Sequence, residues 1–212
     1  EIRGAGELLG EGQSGVIEEI GFSMYTDYLN RAIRDLSGEP TESPLRKDSV
    51  CEIDLETSAY IPDEYIPDVH TRLVLYQRIA DCEDKSSLYE LKLEMVDRFG
   101  LLPSETKMLF QISEVRIKGE ETGIKKLRYG ARGGRIAFHP DATVSPHRFA
   151  SLLAEQSALF SMNGPLELSL PSGLQDSALR AMLADWLLDT LDESNATTPL
   201  PSEIIEHLND GT

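Results

Sequence analysis

Cysteine is scarce in this sequence: Cys51 and Cys82 are its only two. That is too few for a disulfide framework and suggests a reducing cytosol, hence a cytoplasmic protein, with one bridge between the two left open. Long apolar runs are missing as well. None approaches the roughly 18 residues that a membrane-spanning helix needs, so no membrane partner is expected. Basic residues are in deficit, with 20 Lys and Arg against 37 Asp and Glu and a net charge of −17. Binding nucleic acid over a broad surface needs clustered cations, so this balance argues against it. It is compatible with basic protein partners and with plain solubility.

The signatures of chemistry are also lacking. His70, His139, His147 and His207 are scattered, and none pairs at helix spacing around a glutamate, which argues against zinc. There is no Cys-x-x-Cys and no Gly-x-Ser-x-Gly elbow. Five glycines fall within residues 1–15. They have neither the dinucleotide spacing nor a following Gly-Lys-Ser/Thr that would cradle phosphate. Carboxylates are so plentiful that pairs arise by chance. No catalytic residue, metal site or cofactor is expected in this chain.

What is present is a series of amphipathic elements. The 212 residues allow one or two domains. A helix is expected from Phe22 to Leu36, with Phe22, Tyr25, Leu29, Ala32 and Leu36 on one side, followed by a proline-containing linker over residues 39–50. Cys51, Ile53 and Leu55 alternate with acids as a short strand. Pro62 and Pro67 hold an extended lead-in, and Asp68 caps a helix with Val69, Leu73, Tyr76 and Ala80 inward. A second helix is expected to open at Ser87 with Glu90 as capping-box partner, to bury Leu88, Leu91, Met95 and Phe99, and to end at Gly100 before Pro103.

A third helix runs from Ser104 to about Glu121 on Met108, Ile112 and Val115. Ile124–Tyr129 and Arg135–Phe138 read as a hairpin across GARGG. Ser145-Pro146 starts a helix that buries Phe149, Leu152 and Leu153. Leu166, Leu168 and Leu170 alternate as a strand. A last helix spans about Asp176 to Leu191, with Leu179, Leu183, Trp186 and Leu187 inward. The tail from Ser194 is polar apart from a short IIEHL and is expected to be partly disordered. The fold class expected is α+β: about four strands, mostly antiparallel, covered by four or five helices.

The second helix has an informative wet side. Glu90, Glu94, Asp97 and Arg98 fall within an arc of roughly 100°, and Leu93 lies beside them, well off the buried stripe. This is either a solvated face with one stray leucine or a docking face with fixed charges around an apolar contact. Spacing does not separate the two.

Longer motifs add a resemblance. IRGAGELLGEGQSG, from Ile2 to Gly15, resembles the end of the second motor domain shared by transcription-repair coupling factors (Mfd) and the RecG helicases, and IEEIGFSMYTDYLNRAI continues the coupling-factor version. AYIPDEYIPD, TRLVLYQRIA and ELKLEMVDRFGLLP resemble the carboxy-terminal domain of the coupling factors, which RecG lacks. The resemblance covers residues 1–140 strongly and 141–192 more weakly.

It implies a piece of an ATP-driven translocase on double-stranded DNA that displaces stalled RNA polymerase and recruits UvrA for excision repair. ATP and Mg would serve the full-length parent. Their motifs are missing here, so this chain should not hydrolyse ATP. Arg3 and Gln13 fall on the family's translocation motif. The implied organisation is a motor remnant over 1–38, a linker over 39–50, a regulatory TRCF domain over 51–192 and a tail over 193–212. In the family this domain docks on an amino-terminal UvrB-like module and hides the UvrA-binding surface. The docking residues map onto Glu94, Asp97 and Arg98, with Glu90 and Leu93 beside them. The alternative is an accessory DNA-binding module of a RecG-like helicase, using Arg3, Arg132 and Arg135.

Overall fold

The computed structural model describes residues 51–196 and 198–210. Arg3, Gln13, the expected helix at Phe22–Leu36 and the linker at 39–50 lie outside these residues. In chain order the elements are β1 (Glu52–Asp54), α1 (Val69–Asp81), α2 (Lys85–Phe99), α3 (Ser104–Thr122), β2 (Ile124–Gly130), β3 (Gly133–Phe138), α4 (Pro146–Glu155), β4 (Ser161–Met162), β5 (Glu167–Leu170), α5 (Ser177–Leu191) and α6 (Ser202–Asp210). They divide into two compact units, residues 57–117 and residues 51–56 with 118–210.

The first unit is helical. Asp68 caps α1 by accepting from the Thr71 amide at 2.7 Å. The buried side of α1 is Arg72, Leu75, Tyr76, Ile79 and Ala80, rotated from the expected stripe: Val69 is exposed and Leu73 only half-buried. Arg72 turns inward because its guanidinium donates to the carbonyls of Ile66 at 2.7 Å and Pro67 at 3.1 Å. The Tyr76 hydroxyl accepts from the Ile61 amide at 2.7 Å and ties the extended lead-in to the helix.

The cap of α2 is Asp84 rather than Ser87. Its carboxylate accepts from the Ser87 amide at 2.9 Å and from the Ser87 hydroxyl at 2.8 Å. Asp84 is three residues earlier and carries a full charge for the helix N-terminus, so Glu90 has no capping role. Leu88, Leu91 and Met95 are buried as expected, and Phe99 is half-buried. Gly100 ends the helix at φ +90°, a left-handed angle that glycine adopts without strain. Met108, Ile112 and Val115 of α3 are buried.

The second unit is built on a five-stranded sheet in the order β1-β2-β3-β5-β4. Only the β1–β2 pair is parallel. The fifth strand, β4, is two residues long, too short for any alternation to announce it. Ile53, Leu127, Tyr129, Ile136, Leu168 and Leu170 are buried, while Lys126, Arg128 and Arg135 point to solvent. That alternation is the mark of a sheet with one wet side.

Helix α5 packs on β2, and α4 and α6 pack on α5. Trp186 is core: its ring stacks on Phe160 at 6.2 Å and its Nε1–H donates to the Thr198 carbonyl at 3.0 Å. In α4 only Leu152 is fully buried, Phe149 and Leu153 less so, and Leu166 is exposed just before β5. The tail differs from the disorder expected of it: α6 forms there, with Leu200 and Ile204 buried.

Candidate docking face

Helix α2 buries one stripe, and what remains is a continuous wet side. Glu90, Leu93, Asp97 and Arg98 are exposed there and Glu94 is half-buried at its edge. The structure thus brings the five sequence-predicted residues together on one side of one rigid element. Gly100 fixes the end of that element. The Tyr65 hydroxyl donates to the Gly100 carbonyl at 2.9 Å, and the Tyr65 ring meets Phe99 edge-on at 6.2 Å.

Two residues that spacing did not single out complete the face. Arg78 in the last turn of α1 forms a two-pronged pair with Glu94, Nη1 to Oε1 at 2.8 Å and Nη2 to Oε2 at 2.5 Å. Arg98 adds a third bond to Oε1 at 2.8 Å and lies over the Phe99 ring at 4.8 Å. Hydrogen bonds from Arg78 and then Arg98 hold the Glu94 carboxyl down to about 2. Glu94 is therefore anionic at any physiological pH, and its charge is already matched inside the unit. Between α1 and α2 a pocket of about 390 Å³ opens beside this cluster, with Asp81, Glu90 and Glu94 on its walls.

The second addition is Tyr89, which is 59% exposed, one turn before Leu93 at 50%. Residues four apart on a helix are neighbours, so Leu93 is one end of an apolar pair rather than a stray. The i, i+4 spacing of Tyr89 and Leu93 was available to sequence reasoning. The Arg78–Glu94 contact joins two helices and was not.

Among the described residues no group of three or more His, Cys, Asp or Glu stands together that could hold a metal ion. Cys51 and Cys82 are both buried and not joined in a disulfide, and burial raises the Cys82 thiol, which makes it a poor nucleophile. No described helix is long and apolar enough to cross a membrane. On the wet side of the sheet, Arg132 and Arg135 line a second pocket of about 560 Å³ with Lys126, Arg128, Glu56 and Glu167.

The described residues form an α+β fold with an exposed helix surface, and comparison with known proteins gives its kind. Residues 55–149 match the TRCF domain family. The chain is 42% identical over 193 residues to the transcription-repair-coupling factor of Haemophilus influenzae, covering 90% of this chain and 17% of that protein. It is 39% identical over 195 residues to the Escherichia coli protein of the same name, covering 91% of this chain and 17% of the relative. A crystal structure of the C-terminal domain of transcription-repair coupling factor shares the fold, with a TM-score of 0.58 at 22% identity, over 72% of this chain and 100% of that one. The chain belongs to the transcription-repair-coupling factor family and spans 17% of the length of these two relatives.

Proposed function

We propose that this chain is the regulatory carboxy-terminal part of a transcription-repair coupling factor, and that the wet side of α2 docks on the UvrB-like module of the same parent protein. Docked, it masks the surface that recruits UvrA. Undocked, it frees that surface after the motor engages a stalled RNA polymerase on double-stranded DNA. The observation that supports this most is the exposure of Glu90, Leu93, Asp97 and Arg98 together, on a helix whose other side is buried.

The energetics suit a latch. Rim ion pairs contribute only ~0–1 kcal/mol each, whereas breaking a desolvated one costs ~2–5 kcal/mol. Such a contact holds at rest and opens for a few kcal/mol of differential binding. In the full-length protein, Glu94→Ala with Asp97→Ala should raise UvrA affinity and DNA-independent ATPase activity. Unchanged UvrA affinity in that variant would refute the reading.

The wet sheet supports a second reading, an accessory DNA-binding module. Lys126, Arg128, Arg132 and Arg135 share one pocket there, and Arg128 lies directly opposite Arg135 in register. Like charges across a strand pair are unfavourable without a reason. Here Asp54 and Glu56 lie near Arg128, and Glu167 near Arg135, each at 3.2–3.5 Å. That leaves little free positive charge. A low-salt gel shift tests it: micromolar binding would favour the module, and a flat titration would dispose of it.

A further inference from the structure

We propose that α6 is a strap that opens and closes over Trp186 as a unit of its own, and that its open form bares an apolar track along α5.

The strap has a defined hinge. The Arg148 guanidinium donates to the carbonyls of Thr190 at 3.4 Å, Glu193 at 3.3 Å and Asn195 at 2.6 Å. The Ser145 hydroxyl donates to the Glu193 carboxylate at 2.5 Å. These bonds fix the chain to the start of α4 as far as Asn195. The next tie is lighter: Trp186 Nε1–H donates to the Thr198 carbonyl at 3.0 Å.

Three apolar side chains then seat the strap. Leu200, Ile204 and Leu208 recur every four residues, a spacing that puts them on one side. Leu200 and Ile204 are buried. The Leu208 Cδ2 lies 3.8 Å from where a Cβ on Gly173, in the loop after β5, would stand. Glu203, Ile205, Glu206 and His207 form the other side and are exposed.

Little else holds α6. It has nine residues, fewer than the roughly 12–15 at which a helix becomes marginally stable alone in water, so docking is what forms it. It contains no Lys or Arg, and among the described residues no ion pair engages Glu203, Glu206 or His207. Elements with so few buried apolar contacts open below the global unfolding free energy.

The core beneath does not depend on the strap. Leu183, Leu187 and Leu191 of α5 are fully buried, and α5 packs on β2. What the strap covers is Trp186, 8% exposed, whose ring stacks on Phe160. Met182, one turn earlier on α5, is already 37% exposed. Residues four apart on a helix are neighbours, so an apolar track runs from open solvent to beneath the strap.

The test is amide hydrogen exchange of the full 212-residue chain, read together with the emission of Trp186, its sole tryptophan. The α6 amides from Ile205 to Leu208 should be protected on the order of 100-fold less than the α5 amides from Leu183 to Leu188. Ile204→Ala removes the strap's central anchor. Glu206→Pro breaks α6 from its exposed side and leaves every buried side chain in place. Both should move Trp186 emission to the red and expose it to acrylamide quenching, with α5 protection kept within about threefold of wild type.

Wild-type protection of α6 within about threefold of that of α5 would place both in one cooperative unit and overturn the proposal. Loss of α5 protection in Glu206→Pro would overturn it too. So would Trp186 emission and quenching in that variant unchanged from wild type, since α6 would then not be the cover.

Discussion

Arg78 and Glu94 meet across α1 and α2 as a two-pronged ion pair, with both N–O distances at or below 2.8 Å. The pair has a measurable signature in acid. Glu94 is held at about 2, below its ordinary 4.5. A depressed carboxyl contributes stability that is complete above the ordinary value and is lost as pH falls from about 4.5 through about 2. Carboxyl-detected NMR titration should place the Glu94 midpoint near 2, and Arg78→Ala should move it up toward the ordinary value. A third of this side chain is exposed, so the contribution to stability is only ~0–1 kcal/mol. The midpoint, rather than a melting curve, is the sharper readout.

The two sides of α2 should answer truncation differently. Leu88 is 1% exposed and Leu93 50%. Leu88→Ala should cost about 2–5 kcal/mol by leaving a cavity. Leu93→Ala should stay within about 0.5 kcal/mol. Denaturant melts of the two variants check this, and equal losses would mean that the wet side of the helix has been misplaced.

Arg180 should prove indispensable to the second unit. It is 4% exposed and donates to the carbonyls of Leu55, Glu56, Leu174 and Gln175 at 2.8–3.2 Å. One of these, Glu56, sits at φ +47°, an angle that a residue with a side chain rarely holds unaided. Arg180→Ala should destabilise by about 2–4 kcal/mol through orphaned carbonyls. Arg180→Lys should recover little, because an ammonium lacks the fork that spans four acceptors. Thermal melts with both variants decide it.

Gly134 and Gly164 offer a paired test of backbone crowding. A Cβ on Gly134 would lie 2.8 Å from the Tyr129 Cα and closer still to the Arg128 carbonyl, while one on Gly164 meets nothing within 4 Å. Gly134→Ala should cost at least about 2 kcal/mol by forcing β2 and β3 apart. Gly164→Ala should cost about 1 kcal/mol, from its positive φ alone. Comparable melting temperatures for the two would contradict the tight β2–β3 register.

Much of this fold was legible because its elements carry their own punctuation. Asp68, Gly100, Gly123 and the Ser145-Pro146 pair each act within a turn of themselves, and each stands where spacing put it. The misses have long-range or compositional causes. Arg72 is an exception to the first, buried by carbonyls of the lead-in at Ile66 and Pro67, which no periodicity of apolar residues reveals. Ser87 looked like a cap because Asp84 stood inside an acidic run that resembled a loop. Strand β4 has no pattern of its own and exists by pairing with β5. The tail looked too polar to fold, but α6 needs only Leu200 and Ile204 to anchor it. On the docking face the charged arc was readable, whereas the internal neutralisation of Glu94 by Arg78 was not.

Nitrogen-15 correlation spectra of this chain, recorded with and without the UvrB-like module, test the docking reading most directly. Shifts concentrated on residues 89–98 of α2 and on Arg78 are the expected result. Shifts confined to the sheet around Arg128 and Arg135, or no shifts at all at saturating module, would contradict it.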